Sequence, residues 1–125
     1  GMQIFSENPI LGIGIGSDIG KKMYQYLGKE QTPHNGYVTV LVEGGYLLGL
    51  PTLLFILIGT LKIVYKALKN PSSLTIAVVL FTLYYLARAL GENYLLYNFG
   101  NFVSIIFIFL IVQGVFSKGD YLLKS

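Results

Sequence analysis

Two stretches of this chain, Leu74 to Ala87 and Asn93 to Ser117, contain no charged residue. A helix that crosses a bilayer needs about 20 consecutive, mostly apolar residues, and in lipid every backbone polar group must be satisfied within the chain. Runs of this length therefore restrict the fold to membrane helices far more than any single motif does. The overall balance agrees, because 54% of the 125 residues are hydrophobic and 12% are charged, against roughly 25% charged in a soluble domain. The expected fold is an all-α integral membrane protein with three transmembrane helices, preceded by an extracytoplasmic loop and a short interfacial helix.

Residues 1–33 are expected to form the extracytoplasmic segment. Gly1, Pro9, Gly12, Gly14, Gly16, Gly20, Gly28 and Pro33 interrupt regular structure there, leaving room for one short helix around Lys21 to Leu27. Thr32-Pro33-His34-Asn35 reads as a helix start, with Thr able to cap and Pro suited to the first helical position. This puts His34 in the first turn. Residues 34–125 form the membrane domain: an interfacial helix to about Gly44, then spans at about 46–67, 73–91 and 95–116. Pro51 is expected to kink the first span near its start. Gly1 to Asn8 lacks the basic start and apolar core of a secretory signal, and the opening reads as the carboxy-terminal part of a longer protein.

Short cytoplasmic loops carry an excess of Lys and Arg. The connection after the first span holds Lys62, Lys66 and Lys69, and the tail holds Lys118 and Lys124. The connection from Glu92 to Asn98 has none. The amino terminus is thus expected outside and the carboxy terminus inside. Tyr46, Tyr94 and Tyr97 fall at the outer interface, and Tyr65 and Tyr121 at the inner one, as an aromatic belt requires. Lys21, Lys22 and Lys29 count against this orientation, but they share their loop with Glu7, Asp18 and Glu30.

Several chemistries are set aside. The net charge of +3 comes from nine basic residues that form no stripe, so nucleic acid is not an expected partner. Without cysteine there is no disulfide, thiol nucleophile or thiolate site, and one histidine cannot build a metal cluster. No metal or cofactor is expected. The run Gly12-Ile13-Gly14-Ile15-Gly16 lacks the glycine spacing, the preceding strand and the crossover helix of a dinucleotide fingerprint.

Two residues remain as chemical candidates. His34 lies where a long loop meets a helix, and its ring suits a general base or an anion ligand; the plainer alternative is an interfacial histidine that helps cap the helix. On a continuous helix at about 100° per residue, Val38, Leu41 and Gly45 share its face. Glu43 points nearly the opposite way, which disfavours a His34–Glu43 dyad. Arg88 closes the first uncharged run, and Tyr84, Arg88 and Glu92 are spaced four apart on one helix face. Either Arg88 and Glu92 form an ion pair that snorkels to the interface, or the guanidinium faces a cavity and clamps phosphate.

One ordered series of elements resembles a known family. Asn8-Pro9-Ile10-Leu11-Gly12-Ile13-Gly14 is followed by His34-Asn35-Gly36-Tyr37, then by Leu41-Val42-Glu43-Gly44-Gly45-Tyr46, with Gly49 beyond. This series is similar to the carboxy-terminal region of the O-antigen ligase and O-antigen polymerase family of membrane glycosyltransferases. The resemblance covers positions 8 to about 50. It implies transfer or polymerisation of glycan from an undecaprenyl-diphosphate carrier to a sugar hydroxyl of a growing glycan or lipid A core, at the outer face of a bacterial inner membrane, without a metal. It also implies that His34 is the catalytic residue assisting the acceptor, with Asn35, Arg88 and Glu92 toward the substrate. Glu43, Gly45, Gly12 and Gly14 match structural elements. The family's earlier spans, and the outer-loop arginines expected to hold the diphosphate, have no counterpart in these residues. The competing expectation is a non-catalytic small membrane protein or assembly partner, in which His34 and Arg88 do not converge.

Overall fold

The computed structural model of the chain describes residues 2–14, 21, 24, 25, 28, 34–92 and 102–116. Among these, all regular structure is helical. Helix α1 covers Met2–Glu7, α2 covers Gly36–Gly44, a π-helical segment covers Gly45–Gly49, α3 covers Leu50–Lys69, α4 covers Ser73–Arg88 and α5 covers Phe102–Phe116. A short helix was expected around Lys21 to Leu27. Of its positions Lys21, Tyr24 and Gln25 are helical, and Gly28, at a left-handed φ of 63°, donates back to the Tyr24 carbonyl at 2.9 Å. Helix α1 was not expected. It forms because Phe5 finds an apolar seat against Val42 and an edge-on contact with the ring of Tyr46, 5.0 Å between centroids.

From Gly36 to Lys69 the chain is one helical rod of 34 residues, interrupted only by the wide turn. The expected division near Gly44 and Tyr46 is therefore real, but it is an internal break and does not separate two helices. The break also lies earlier than Pro51. That proline occupies the first turn of α3, where its missing N–H leaves no ladder bond unmade, so Gly45–Gly49 supplies the discontinuity in its place.

Helices α3, α4 and α5 run up, down and up. The α3–α4 turn is fixed by a reciprocal cap, in which Ser72 Oγ accepts from Thr75 N at 3.1 Å and Thr75 Oγ1 accepts from Ser72 N at 2.8 Å. Helices α3 and α5 approach closely because glycines face large side chains. A Cβ on Gly59 would come within 2.7 Å of Ile111 Cγ2, and one on Gly114 within 2.8 Å of Ile63 Cγ1. Tyr85 of α4 stacks on Phe107 of α5 at 4.3 Å and shares a buried 2.7 Å hydrogen bond with Ser104. The buried Thr60 and Thr82 hydroxyls donate to carbonyls one turn back.

The outward faces are apolar. Leu54, Leu57, Leu61, Leu80, Ile105 and Phe109 are exposed, whereas Thr60, Lys66, Thr82 and Ser104 are buried. Gly36–Lys69 is long and apolar enough to cross a membrane, and only 28% of its most apolar stretch is buried, unlike the core helix of a soluble protein. Helices α4 and α5, at 16 and 15 residues, fall short of the roughly 20 residues that a full span requires. The expected second span was longer by its turn from Ala89 to Gly91, and the expected start of the third, 95–101, lies outside the described residues.

Candidate functional site

The two glycine-bearing elements of the sequence meet in space. Gly45 has φ 59° and ψ −162°, a conformation essentially confined to glycine, and it throws the chain out of the α2 spiral. Backbone groups left without helical partners at such a break must be satisfied elsewhere. The segment after α1 does this: Tyr46 N donates to Pro9 O at 2.7 Å, Leu47 N to Ile10 O at 3.0 Å, Ile13 N to Val42 O at 2.9 Å and Gly14 N to Glu43 O at 3.0 Å. The contact is backbone against backbone. A Cβ on Gly12, itself at φ 67°, would collide with the Glu43 carbonyl, and one on Gly45 with the Ile10 carbonyl and the Gly12 nitrogen. Glu43 is only 4% exposed at this junction.

The start of α2 lies against the end of α4. Asn35 is the helix cap, its Oδ1 accepting from Tyr37 N at 3.0 Å and Val38 N at 3.2 Å. The expected cap by Thr is thereby corrected; Thr32 and Pro33 lie outside the described residues. His34 consequently stands just before the helix, exposed, and not in its first turn. Asparagine wins because its short amide reaches two of the orphan N–H groups that open every helix. Two longer-range bonds then tie this end to α4: Gly36 N donates to Ala89 O at 2.8 Å, and the Tyr37 hydroxyl donates to Leu86 O at 2.8 Å.

These bonds bring His34 and Asn35 to the same end of the bundle as Arg88. Arg88 donates to Glu92 Oε2 at 3.0 Å, and the two side chains are 42% and 40% exposed. Tyr84, one turn before, is exposed on the same face. Glu43 is remote from this cluster, at the far end of α2 and buried, so His34 and Glu43 occupy different environments. Among the described residues no group of three or more His, Asp or Glu is placed to hold a metal ion.

Just below lies an apolar groove of about 210 Å³ between the long rod and α4, lined by Tyr37, Leu53, Ile56, Leu57, Thr60 and Leu86. Neither His34 nor Arg88 lines it. Tyr37 and Leu86, joined by their hydrogen bond, are the lining residues nearest to them along the chain. Sequence reasoning passed over Tyr37. The signal available was a tyrosine in the first turn of a helix, whose hydroxyl needs a partner when its ring is packed.

Chemically, the end of the bundle offers an exposed imidazole and an exposed guanidinium with one acceptor already placed, and the apolar groove lies between the long rod and α4. Comparison with family models, with curated proteins and with solved structures gives no match for this chain.

Proposed function

We propose that the chain is the carboxy-terminal part of a membrane glycosyltransferase of the O-antigen ligase and polymerase type, with α3, α4 and α5 as its last three spans and the His34 end facing outward at the bacterial inner membrane. The observation that carries this reading is the junction of Pro9–Gly14 with Val42–Leu47. Those are two of the elements on which the resemblance rests, His34-Asn35-Gly36-Tyr37 lying between them in the chain, and both sides of the junction require glycine for a physical reason. The apolar outward faces, with Thr60, Thr82 and Ser104 buried between the helices, support a lipid setting.

In the proposed reaction the acceptor hydroxyl loses its proton to His34 as its oxygen attacks the sugar carbon bound to diphosphate. The carbon–oxygen bond to phosphate breaks, and the lipid diphosphate leaves with the electron pair. Arg88 faces that charge, exchanging its bond to Glu92 for one to phosphate. The groove under Tyr37 and Leu86 receives part of the lipid tail, and Asn35 holds the loop that carries His34.

A second reading is favoured by one observation. Arg88 is engaged by Glu92 and half exposed, and the groove is lined by neither proposed catalytic group, as suits an assembly protein without catalysis. The discriminating experiment is lipid-linked glycan transfer in membranes carrying His34→Ala or Arg88→Ala at matched abundance. Loss of transfer in both supports the enzyme; unchanged transfer in both sinks the mechanism.

A further inference from the structure

The last turn of α4 is held by the chain that follows His34. Past Arg88 the helix tightens, with Leu90 N donating to Ala87 O at 3.1 Å and Gly91 N to Arg88 O at 3.1 Å. The Leu86 carbonyl, whose helical partner would have been Leu90 N, is left open by that tightening. It takes its donor from outside the helix, the Tyr37 hydroxyl at 2.8 Å. Gly36 N likewise donates to Ala89 O at 2.8 Å. The two carbonyls so gripped, Leu86 and Ala89, flank Arg88 in the chain, and the two donors directly follow His34 and Asn35. Only one of these four groups belongs to a side chain, the Tyr37 hydroxyl.

The ring behind that hydroxyl is itself placed by packing. It is half-buried on the wall of the groove with Leu53, Ile56 and Leu57. Asn35 Oδ1 accepts from Tyr37 N at 3.0 Å, so the cap beside His34 is built on the same residue.

We infer that Tyr37 is a positioning residue, whose hydroxyl sets the separation and mutual orientation of His34 and Arg88 while touching neither substrate nor reacting atoms. The inference rests on the glycan-transfer reading above and names the residue that holds its two chemical groups in register. Displacing a reacting group by about 1 Å can cost about a hundredfold in rate, whereas one hydrogen bond between membrane helices contributes little stability. Loss of this hydroxyl therefore shows in rate before it shows in folding.

The test is Tyr37→Phe, which keeps the ring in the groove and removes the donor, assayed for lipid-linked glycan transfer at matched abundance. Its kcat is expected to fall about tenfold with KM unchanged. In a His34→Ala background the same change is expected to cost nothing more, because the group it aims is gone. Tyr85→Phe, which loses a hydroxyl bond between α4 and α5, is expected to keep full transfer. Geometry is read separately: the chain has no cysteine, so nitroxides on His34→Cys and Tyr84→Cys report the distance across this contact, and its distribution is expected to broaden in Tyr37→Phe. An equal loss in Tyr85→Phe, or an equal loss with and without His34, would mean general loosening. An unchanged distance distribution would mean that other contacts hold the two groups. Each of these results overturns the inference. Transfer lost in His34→Ala but kept in Tyr37→Phe overturns the inference alone, and transfer kept in both overturns the reading beneath it as well.

Discussion

The junction around Gly45 and the seam between α3 and α5 both depend on glycine, for different reasons. At the junction, Gly12 and Gly45 have positive φ and meet backbone atoms of the opposing segment. At the seam, Gly59 and Gly114 sit in ordinary helix and meet mainly side-chain atoms of Ile111 and Ile63. The first arrangement leaves nothing that can move aside. The second leaves, besides the Gly59 carbonyl 2.9 Å from a Cβ on Gly114, isoleucine carbons that a second substitution can remove.

The difference predicts an order of damage. Gly45→Ala and Gly12→Ala combine left-handed strain with a backbone collision, and each is expected to cost more than about 3 kcal/mol. Loss of folded protein at normal synthesis would show it, and no change in a neighbouring side chain should restore it. Gly59→Ala is expected to be milder. Overpacking costs about 1–3 kcal/mol, partly offset by about 1 kcal/mol of improved helix propensity. Adding Ile111→Ala to it removes the obstructing methyl group, so the double variant should be less damaged than the sum of the singles, measured as thermal midpoints in detergent. Additivity would break the comparison, since it would mean that the seam is as rigid as the junction.

Smaller effects sharpen the picture. Tyr85→Phe removes the buried bond to Ser104 while keeping the stack on Phe107, and about 0.6 kcal/mol is the expected loss, the average for hydrogen bonds between membrane helices. His34→Ala is expected to leave the thermal midpoint unchanged, because the side chain is exposed and ahead of the cap. Arg88→Gln should be equally silent in that assay, since its ion pair is solvent-accessible. Silence in stability with loss in transfer would separate the chemistry of this end of the bundle from the scaffolding of the other two regions.

Helices α3, α4 and α5 were legible, because uncharged runs and lysine-rich connections report directly on packing and ends; α1 was not, since it depends on the seat Phe5 finds against Val42. Gly44–Gly45 was legible as a break. Its nature was not, because a run of apolar residues looks the same whether a turn contains the usual count or one more. Proline drew attention to position 51, yet the wide turn ahead of it removed the need for a kink there. The helix cap was misplaced by three residues because Thr32-Pro33 and Asn35 both fit a helix start, and only the reach of the Asn35 amide to two N–H groups decides between them. Arg88 with Glu92 followed from spacing alone. The pairing of Gly36 with Ala89, more than fifty positions away, has no local signature.

A π segment is in effect one residue inserted into an α-helix. Each residue advances a helix by about 100°, so the segment at Gly45–Gly49 resets the bearing of everything before it relative to everything after. Val40 and Glu43 turn inward as a consequence, while the leucine face of α3 keeps its own outward heading. Removing one residue from this stretch would rotate the Asn35 end by about 100° away from Ala89. The rod thus carries two independently aimed faces, and the aim is stored in the length of a five-residue segment together with the glycine that opens it.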